Sequence, residues 1–420
     1  MRLLRVLVVS TVAAQLLWSQ QPPTSPRLNL EELVAEALKN NPEIRASHDR
    51  IEVAHAQARR AGALDDPELT YMREQMPGFR WSEANMQKFE LMQIVRFPTK
   101  LSTENRIAEI NVDHSHHERA EMELDVVARV RSAFYDLWYA QQAIALNREN
   151  ARLLRQFVAL AKTKFGVGEA ALQDVLRANV ELAKLDNQST ALGQQEQSAI
   201  ASLVALLNRR QGDSLGAAFL PDSIASIPSL DSLHVLAMAG RPLLIHDSLV
   251  VEENDAMLAL SKQEYIPDLT LGVQYVTMPS GDFRGWSVSA GISLPFAPWT
   301  LNKAGSRVDE ESARISESRQ ELNADRNRIL AHIADLHAKV QSFRQQYNAY
   351  RTVILPQANM SLKASLTAYQ TGGKDFLTLI DSYRTLVELS MESLMVRQEF
   401  EEGVAQLNRE VGVWDMSMNM

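Results

Sequence analysis

The chain repeats itself, and this duplication constrains its fold more than any other feature of its 420 residues. Pro42 and residues 67–70 have counterparts 200 positions later, in the same order. Phe165 and Gly168 have counterparts 204 positions later, at Tyr369 and Gly372. Such matches indicate two copies of one structural unit. The predicted boundaries are 28–211 for the first copy, 212–229 for a Gly/Pro/Ser-rich linker, 230–411 for the second copy and 412–420 for a flexible tail.

Each copy contains very long helices. Residues 101–165 lack glycine and proline, and at 1.5 Å per residue a continuous helix there would reach about 95 Å. In the second copy apolar residues are spaced alternately by four and three, which predicts supercoiling against partner helices; a core stripe of a compact bundle is the alternative. These residues are Ile329, Ile333, Leu336, Val340, Phe343, Tyr347, Tyr350 and Ile354. The predicted long helices are 101–165, 171–209, 306–371 with a kink at Pro356, and 375–411.

Two β-hairpins precede the long helices, one in each copy. Strands are predicted at about 68–76, 86–96, 268–277 and 285–295. In the second copy apolar residues alternate strictly with small or polar ones, as in transmembrane β-strands. The predicted lipid-facing residues are Leu269, Leu271, Val273, Tyr275, Trp286, Val288, Ile292 and Leu294. The first hairpin alternates less regularly because Arg73 and Gln93 interrupt it. A soluble hairpin packed on a core would read similarly.

Four strands are too few to close a membrane barrel, since the smallest have about eight. An open sheet edge in lipid leaves backbone groups without hydrogen bonds, at a cost of several kcal/mol each. If these strands span a membrane, several chains must therefore share one barrel. The predicted fold class is mainly α with a small β part, built from a duplicated unit.

The N-terminus favours export. Arg2 and Arg5 precede the apolar residues 6–17, and a polar, proline-rich stretch follows. This order predicts a signal peptide over about residues 1–19, with an uncleaved anchor as the alternative. The chain has no cysteine, which excludes disulfides and thiolate metal sites. Its 43 Lys and Arg against 52 Asp and Glu give a net charge of −9, which argues against a nucleic-acid partner.

The element order and several motifs resemble the TolC family of outer membrane efflux proteins, over roughly residues 28–412. The resemblance rests on the duplicated opening at residues 30–42, the Asp66-Pro67-Glu68-Leu69 motif at the first strand, and the glycine tips Val167-Gly168-Glu169 and Tyr369-x-x-Gly372. Within the family, the opening and residues 89–100, which end in Phe97-Pro98-Thr99-Lys100, look most like the branch that serves heavy-metal efflux pumps.

The resemblance implies a homotrimer with a 12-stranded transmembrane β-barrel and a periplasmic α-barrel. It also implies a periplasmic adaptor (membrane fusion protein), an inner-membrane pump of the RND type and contact with outer membrane lipid. Its expected function is the exit duct of a tripartite efflux system for metal ions or small toxic compounds; a type I secretion duct is the alternative. Family members line a constriction near the helical tips with acids, and Asp381 and Asp174 match acidic positions. Thr378 and Arg177 replace the other two acids, so Arg177 is expected to pair with an acid. The expected adaptor-docking tips are Val167, Gly168, Glu169, Thr371, Gly372 and Gly373.

Other functions have weaker support. His114 and His117 stand three residues apart on a helix and could share a metal ion, but no third ligand follows at a suitable spacing. Met416, Met418 and Met420 could bind Cu(I), although a disordered tail explains them as well. No phosphate-binding loop, nucleophile elbow or HExxH motif occurs, so no enzyme, cofactor or resident metal is predicted. An exported coiled-coil scaffold or adaptor and a periplasmic metal-dependent enzyme are the remaining alternatives.

Overall fold

The computed structural model of the chain describes residues 27–74, 86–213, 215–224, 226–278, 283–373 and 375–414. The predicted signal peptide and the three methionines of the tail lie outside these residues. The elements follow in the order β1 (Arg27–Leu28), α1 (Leu30–Asn40), α2 (Pro42–Ala61), β2 (Glu68–Glu74), β3 (Met86–Val95), α3 (Pro98–Gly166), α4 (Leu172–Leu206), β4 (Ala217–Ala218), α5 (Leu230–Gly240), α6 (Pro242–Lys262), β5 (Leu269–Thr277), β6 (Arg284–Ile292), α7 (Pro298–Ala349), α8 (Leu355–Gln370) and α9 (Phe376–Val411). This order confirms the predicted class, mainly α with a small β part.

The chain divides into two compact units. One contains the described residues up to 42 together with 124–233 and those from 332 onward, and is helical apart from the short parallel pair β1–β4. The other contains residues 43–123 and 234–331, which include both β-hairpins. Each unit therefore contains a part of the first sequence copy and the matching part of the second. The boundaries of the two copies remain a prediction.

Part of the predicted stripe of α7 lies in the core of the helical unit, where Ile333 and Val340 are fully buried. Val130 and Phe134 of α3 are also fully buried. The 69 residues of α3 run without interruption, as the absence of glycine and proline predicts. No helix among the described residues is both long and apolar enough to cross a membrane.

The predicted interruption at Pro356 is confirmed. One turn of π-helix, Tyr350–Ile354, separates α7 from α8, and Pro356 lies in the first turn of α8. Proline has no N–H to donate to the carbonyl four residues back, and its ring crowds that carbonyl. The wider π turn relieves both problems without ending the helical path.

The two β-hairpins join into one antiparallel sheet with the strand order β2-β3-β5-β6. Residues opposite one another across neighbouring strands share a face of the sheet. Leu69 therefore shares a face with Leu91, Val273 and Val288. By the same register, all the predicted lipid-facing residues within β5 and β6 lie on this apolar face.

Candidate functional site

The two helical tips have the same backbone geometry. After α3, Gly168 has a φ of 78°, its N–H donates to Phe165 O (3.1 Å), and the next N–H donates to Lys164 O (2.8 Å). After α8, Gly372 also has a φ of 78°, with the matching bonds to Tyr369 O (3.4 Å) and from the next residue to Ala368 O (2.8 Å). This pair of bonds is the Schellman motif, which favours glycine because its φ is positive. The duplicated glycines thus close both hairpins in the same way.

The tips pack side by side within the helical unit. One apolar cluster contains residues from α3, α4, α8 and α9, including Phe157, Val175, Leu362 and Phe376. Lys164 Nζ lies 3.1 Å from Glu169 Oε2 and 5.5 Å from the centroid of the Tyr369 ring. Lys164 of the first tip thereby contacts Tyr369 of the second tip, so the two tips are in direct contact.

The four predicted aperture residues lie on the first two turns of α4 and α9. Asp174 and Arg177 are half-buried on α4, while Asp381 on α9 is exposed. Asp375 caps α9: its Oδ1 accepts hydrogen bonds from the Thr378 N–H (3.2 Å) and hydroxyl (2.7 Å). These bonds lower the pKa of Asp375, and the charge of Arg177 lowers it further. Thr378, which replaces an acid of the family pattern, therefore supports the helix cap.

An ion-pair clamp that the sequence analysis missed joins α4 to α9. Glu181 Oε1 accepts from Arg384 Nη2 (2.6 Å) and from Lys184 Nζ (2.9 Å), and only 9% of the Glu181 side chain is exposed. Burial alone would raise the pKa of Glu181, but the hydrogen bonds and charges of Arg384 and Lys184 outweigh it, and the pKa lies below its usual value. Arg384 also reaches Asp381 Oδ1 at 3.4 Å.

Arg384 thus connects the predicted aperture residue Asp381 to the buried Glu181. Among the described residues Arg384, and not Arg177, forms these ion pairs. The sequence could have indicated the contact between Arg384 and Asp381, because residues three positions apart are neighbours on a helix. Its cross-helix partner Glu181 could not be recognised, since it depends on how α4 packs against α9. The predicted pairing of Arg177 with an acid stays a hypothesis, and Asp375 is the acid whose pKa Arg177 influences.

A second link ties α9 to α3 beside the clamp. The Tyr383 hydroxyl donates a hydrogen bond to the backbone carbonyl of Asn150 (3.0 Å). The Tyr383 ring packs edge-on against Phe157 at 5.7 Å between centroids, and burial raises the pKa of the phenol. Tyr383 and Arg384 are adjacent, so consecutive residues of α9 hold it to α3 and to α4.

The histidines lie in the other unit. His114 Nε2 is 3.1 Å from Glu253 Oε2 on α6, and the His114 and His246 ring centroids are 4.7 Å apart. Burial lowers the pKa of His117. Within the part of the chain that the structure describes, no three His, Asp or Glu side chains are arranged to hold a metal ion. The contact between His114 and Glu253 links α3 to α6.

The apolar face of the sheet is exposed. Trp286 is 74% exposed, Val288 82% and Leu294, just past β6, 66%. On the opposite face of β5, Gly272 and Val276 are buried. The two faces of β5 therefore differ in burial, whereas Ser287 and Ser289 of β6 are exposed on the same face as Gly272.

Two long helical hairpins with paired tips, and a four-stranded antiparallel sheet with an exposed apolar face, are the elements of α-barrel and β-barrel channel proteins. Residues 33–209 match the sequence profile described as outer membrane efflux protein. The cobalt-zinc-cadmium resistance protein CzcC of Cupriavidus metallidurans is 21% identical to the chain, over 93% of this chain and 92% of its own length. The predicted resemblance to outer membrane efflux proteins is thereby confirmed.

Solved structures agree on the fold. The outer-membrane channel OprN superposes with a TM-score of 0.79 at 17% identity, over 92% of this chain and 90% of OprN. The crystal structure of CusC, studied for transmembrane channel formation, superposes with a TM-score of 0.79 at 16% identity, over 93% of each chain. Because each superposition covers more than 90% of the chain, the shared fold includes both sequence copies.

Proposed function

We propose that the protein is the exit duct of a tripartite efflux system in the outer membrane, and that three copies form it. The observation that carries the proposal is the four-stranded sheet, one face of which is mostly apolar and exposed. Arg73, Gln87 and Arg284 lie at one end of this face, and Gln93 interrupts it in β3. Large exposed apolar patches on a chain mark contact with lipid or with other proteins.

The apolar face has the dimensions of a membrane band. Tyr71, Phe89, Tyr275 and Trp286 stand opposite one another and form one aromatic row across all four strands. Leu294 lies eight residues from Trp286, about 27 Å along an extended strand. Transmembrane barrels carry an apolar band about 25 Å tall between two aromatic girdles. Exposed Phe296 (58%) and Trp299 (77%) supply aromatic side chains at the other end.

The sheet edges explain why several copies are needed. Among the described residues, β2 and β6 each pair on one side only. Because the four strands alternate in direction, β6 of one copy runs antiparallel to β2 of the next copy and can pair with it. Three copies would then close a 12-stranded barrel with no free edge, as lipid requires.

The helical unit supports the same assembly. Leu172, Leu176 and Val180 are more than half exposed, and their spacing of four places them on one stripe of α4. A neighbouring copy would cover this stripe. We propose that Asp381 and Asp174 then face a constriction at the threefold axis, where repeated carboxylates would attract cations. The exposed tips, including Val167 (67% exposed), are the proposed contact for a periplasmic adaptor.

The proposed substrates are suggested by the name of one relative. The printed name of CzcC describes resistance to cobalt, zinc and cadmium. We propose that this duct passes metal cations or small toxic compounds received from an adaptor and an inner-membrane pump of the RND type, without performing chemistry itself.

Measurements on the wild type and on one variant test the proposal. The mature protein should fractionate with outer membranes, run as a heat-labile trimer and form channels in a planar bilayer. Replacing Asp381 with Ala should weaken block by divalent cations and change conductance, with Thr385→Ala on the same helix as the matched control. A freely soluble monomer without channel activity would refute the duct, whereas unchanged block in D381A would remove only Asp381 from the aperture.

A further inference from the structure

The charged side chains of the sheet are sorted between its two faces. Those on the face opposite the apolar one are three glutamates and one lysine: Glu68, Glu74, Glu90 and Lys88. Within the four strands as the structure describes them, the apolar face has two charged side chains, Arg73 and Arg284, and both are cations. The carboxylates of the strands therefore all lie on the other face, and the apolar face carries only positive charge.

The two arginines stand in one row across the sheet. The register places Arg73, Gln87, Thr277 and Arg284 opposite one another. Two residues further along each strand, at a distance of about 7 Å, lies the aromatic row that begins with Tyr71. Arg284 is exposed and Arg73 is half-buried. The cations thus lie just outside the aromatic row, at the level that lipid headgroups occupy beside a membrane barrel.

The direction of the strands shows which leaflet this row would meet. α3 begins at Pro98, just after β3 ends at Val95, and α7 begins at Pro298, shortly after β6 ends at Ile292. The helices therefore join the sheet at the end opposite the arginines. In the proposed duct the helices extend into the periplasm, so the arginine row lies at the outer leaflet.

We propose that Arg73 and Arg284 bind the headgroup phosphates of lipopolysaccharide. The inference rests on the proposed duct, whose apolar face contacts the membrane. Lipopolysaccharide is the outer-leaflet lipid of bacterial outer membranes, and its headgroup carries phosphates. An arginine presents a planar fork of N–H donors that matches two oxygens of one phosphate, and it carries its charge at any physiological pH. Because the strands place no carboxylate on this face, nothing there repels the anion.

The closed barrel would bring the two arginines onto neighbouring strands. Within one chain, three strand spacings separate Arg73 from Arg284, or about 14 Å. Across each seam of the proposed trimer, β6 of one copy would lie beside β2 of the next. The side chains of Gln87 and Thr277 in the same row can donate further hydrogen bonds to phosphate or sugar oxygens. The proposed lipid contact is therefore concentrated at three seams.

The test measures the binding of fluorescent lipopolysaccharide to the purified full-length trimer in a neutral detergent. Arg73→Gln with Arg284→Gln should raise the concentration for half-saturation by roughly 10- to 30-fold, because each basic residue near an anionic lipid surface contributes about five-fold. Lys88→Gln removes a cation from the opposite face, so this matched control should stay within about two-fold of wild type. Lipopolysaccharide whose phosphates have been removed should bind to wild type and to the double variant alike.

Two results would overturn the proposal while leaving the duct intact. One is equal affinity of wild type and the double variant, and the other is equal binding of intact and dephosphorylated lipopolysaccharide by wild type. The second comparison needs no variant, so it decides the question even if the double variant does not assemble. Inorganic phosphate that displaces the lipid as readily as unlabelled lipopolysaccharide would show a site for phosphate alone and would also overturn the proposal. Failure of wild type to form trimers or channels would instead refute the duct, and planar-bilayer recording of the same preparation detects it.

Discussion

Removing Arg384 should loosen the tip of α9 from α4. Arg384 Nη2 is 2.6 Å from Glu181 Oε1, and 45% of its side chain is exposed, against 9% for Glu181. Leaving a fully buried charge without its partner costs about 3–5 kcal/mol, while exposed pairs contribute about 0–1 kcal/mol. The Glu181–Arg384 pair is partly buried, so its contribution lies between these two values. In the variant, Lys184 should still contact Glu181, which it approaches to 2.9 Å in the wild type. Arg384→Gln should therefore cost about 1–2 kcal/mol.

That free energy translates into a measurable change at the proposed aperture. A shift of 1–2 kcal/mol changes a two-state equilibrium by about 5–30-fold. If separation of α9 from α4 opens the duct, R384Q channels should spend correspondingly more time in the open state. Single-channel recording measures this fraction directly. Thermal unfolding of the purified trimer measures the stability loss independently.

A double-mutant cycle isolates the pair. Glu181→Gln, Arg384→Gln and the double variant should show a coupling free energy of about 1 kcal/mol or more. Arg152→Gln is the matched control, because Arg152 pairs with Glu149 on the surface and both side chains are more than half exposed. The control should stay within about 0.5 kcal/mol of wild type.

The pH dependence has a definite sign. The pKa of Glu181 lies below its usual 4.5 in the folded protein, so the clamp stabilises the fold above pH 4.5 and loses this effect as pH falls through the lowered value. The difference in stability between wild type and R384Q should shrink in that acidic window. Additive effects in the cycle, or an R384Q channel that opens no more often than wild type, would show that the clamp does not hold the tip.

Three further predictions concern other parts of the chain. Val288→Lys should block membrane assembly, since lysine on the proposed lipid face costs about 2–4 kcal/mol near the midplane. Ser287→Lys on the opposite face should assemble, and heat-modifiable gel mobility distinguishes the two variants. Gly168→Ala and Gly372→Ala, at φ of 78°, should each cost about 1 kcal/mol in thermal unfolding because alanine disfavours that conformation. Burial raises the pKa of Glu402 to about 7, so Glu402→Gln should raise the melting temperature at pH 8 more than at pH 5.5, where wild type is already protonated.

Much of the fold was readable from the sequence because its signals are local and periodic. The absence of glycine and proline over residues 101–165 predicts α3 (Pro98–Gly166), and Pro356 predicts the change at the π turn. Strict alternation predicts β5 and β6 to within a few residues. Duplication then extended these assignments to the first hairpin, where Arg73 and Gln93 weaken the alternation.

The sequence by itself also determined the glycine tips, because a helix that ends in this way favours a residue that tolerates positive φ. Only the tertiary structure decided which charges meet. Glu181 and Arg384 are 203 residues apart, and nothing local identifies them as partners. The same holds for Lys100 and Asp268, which are 168 residues apart. Helix and strand periods depend on neighbours along the chain, whereas ion pairs between elements depend on packing that no single segment encodes.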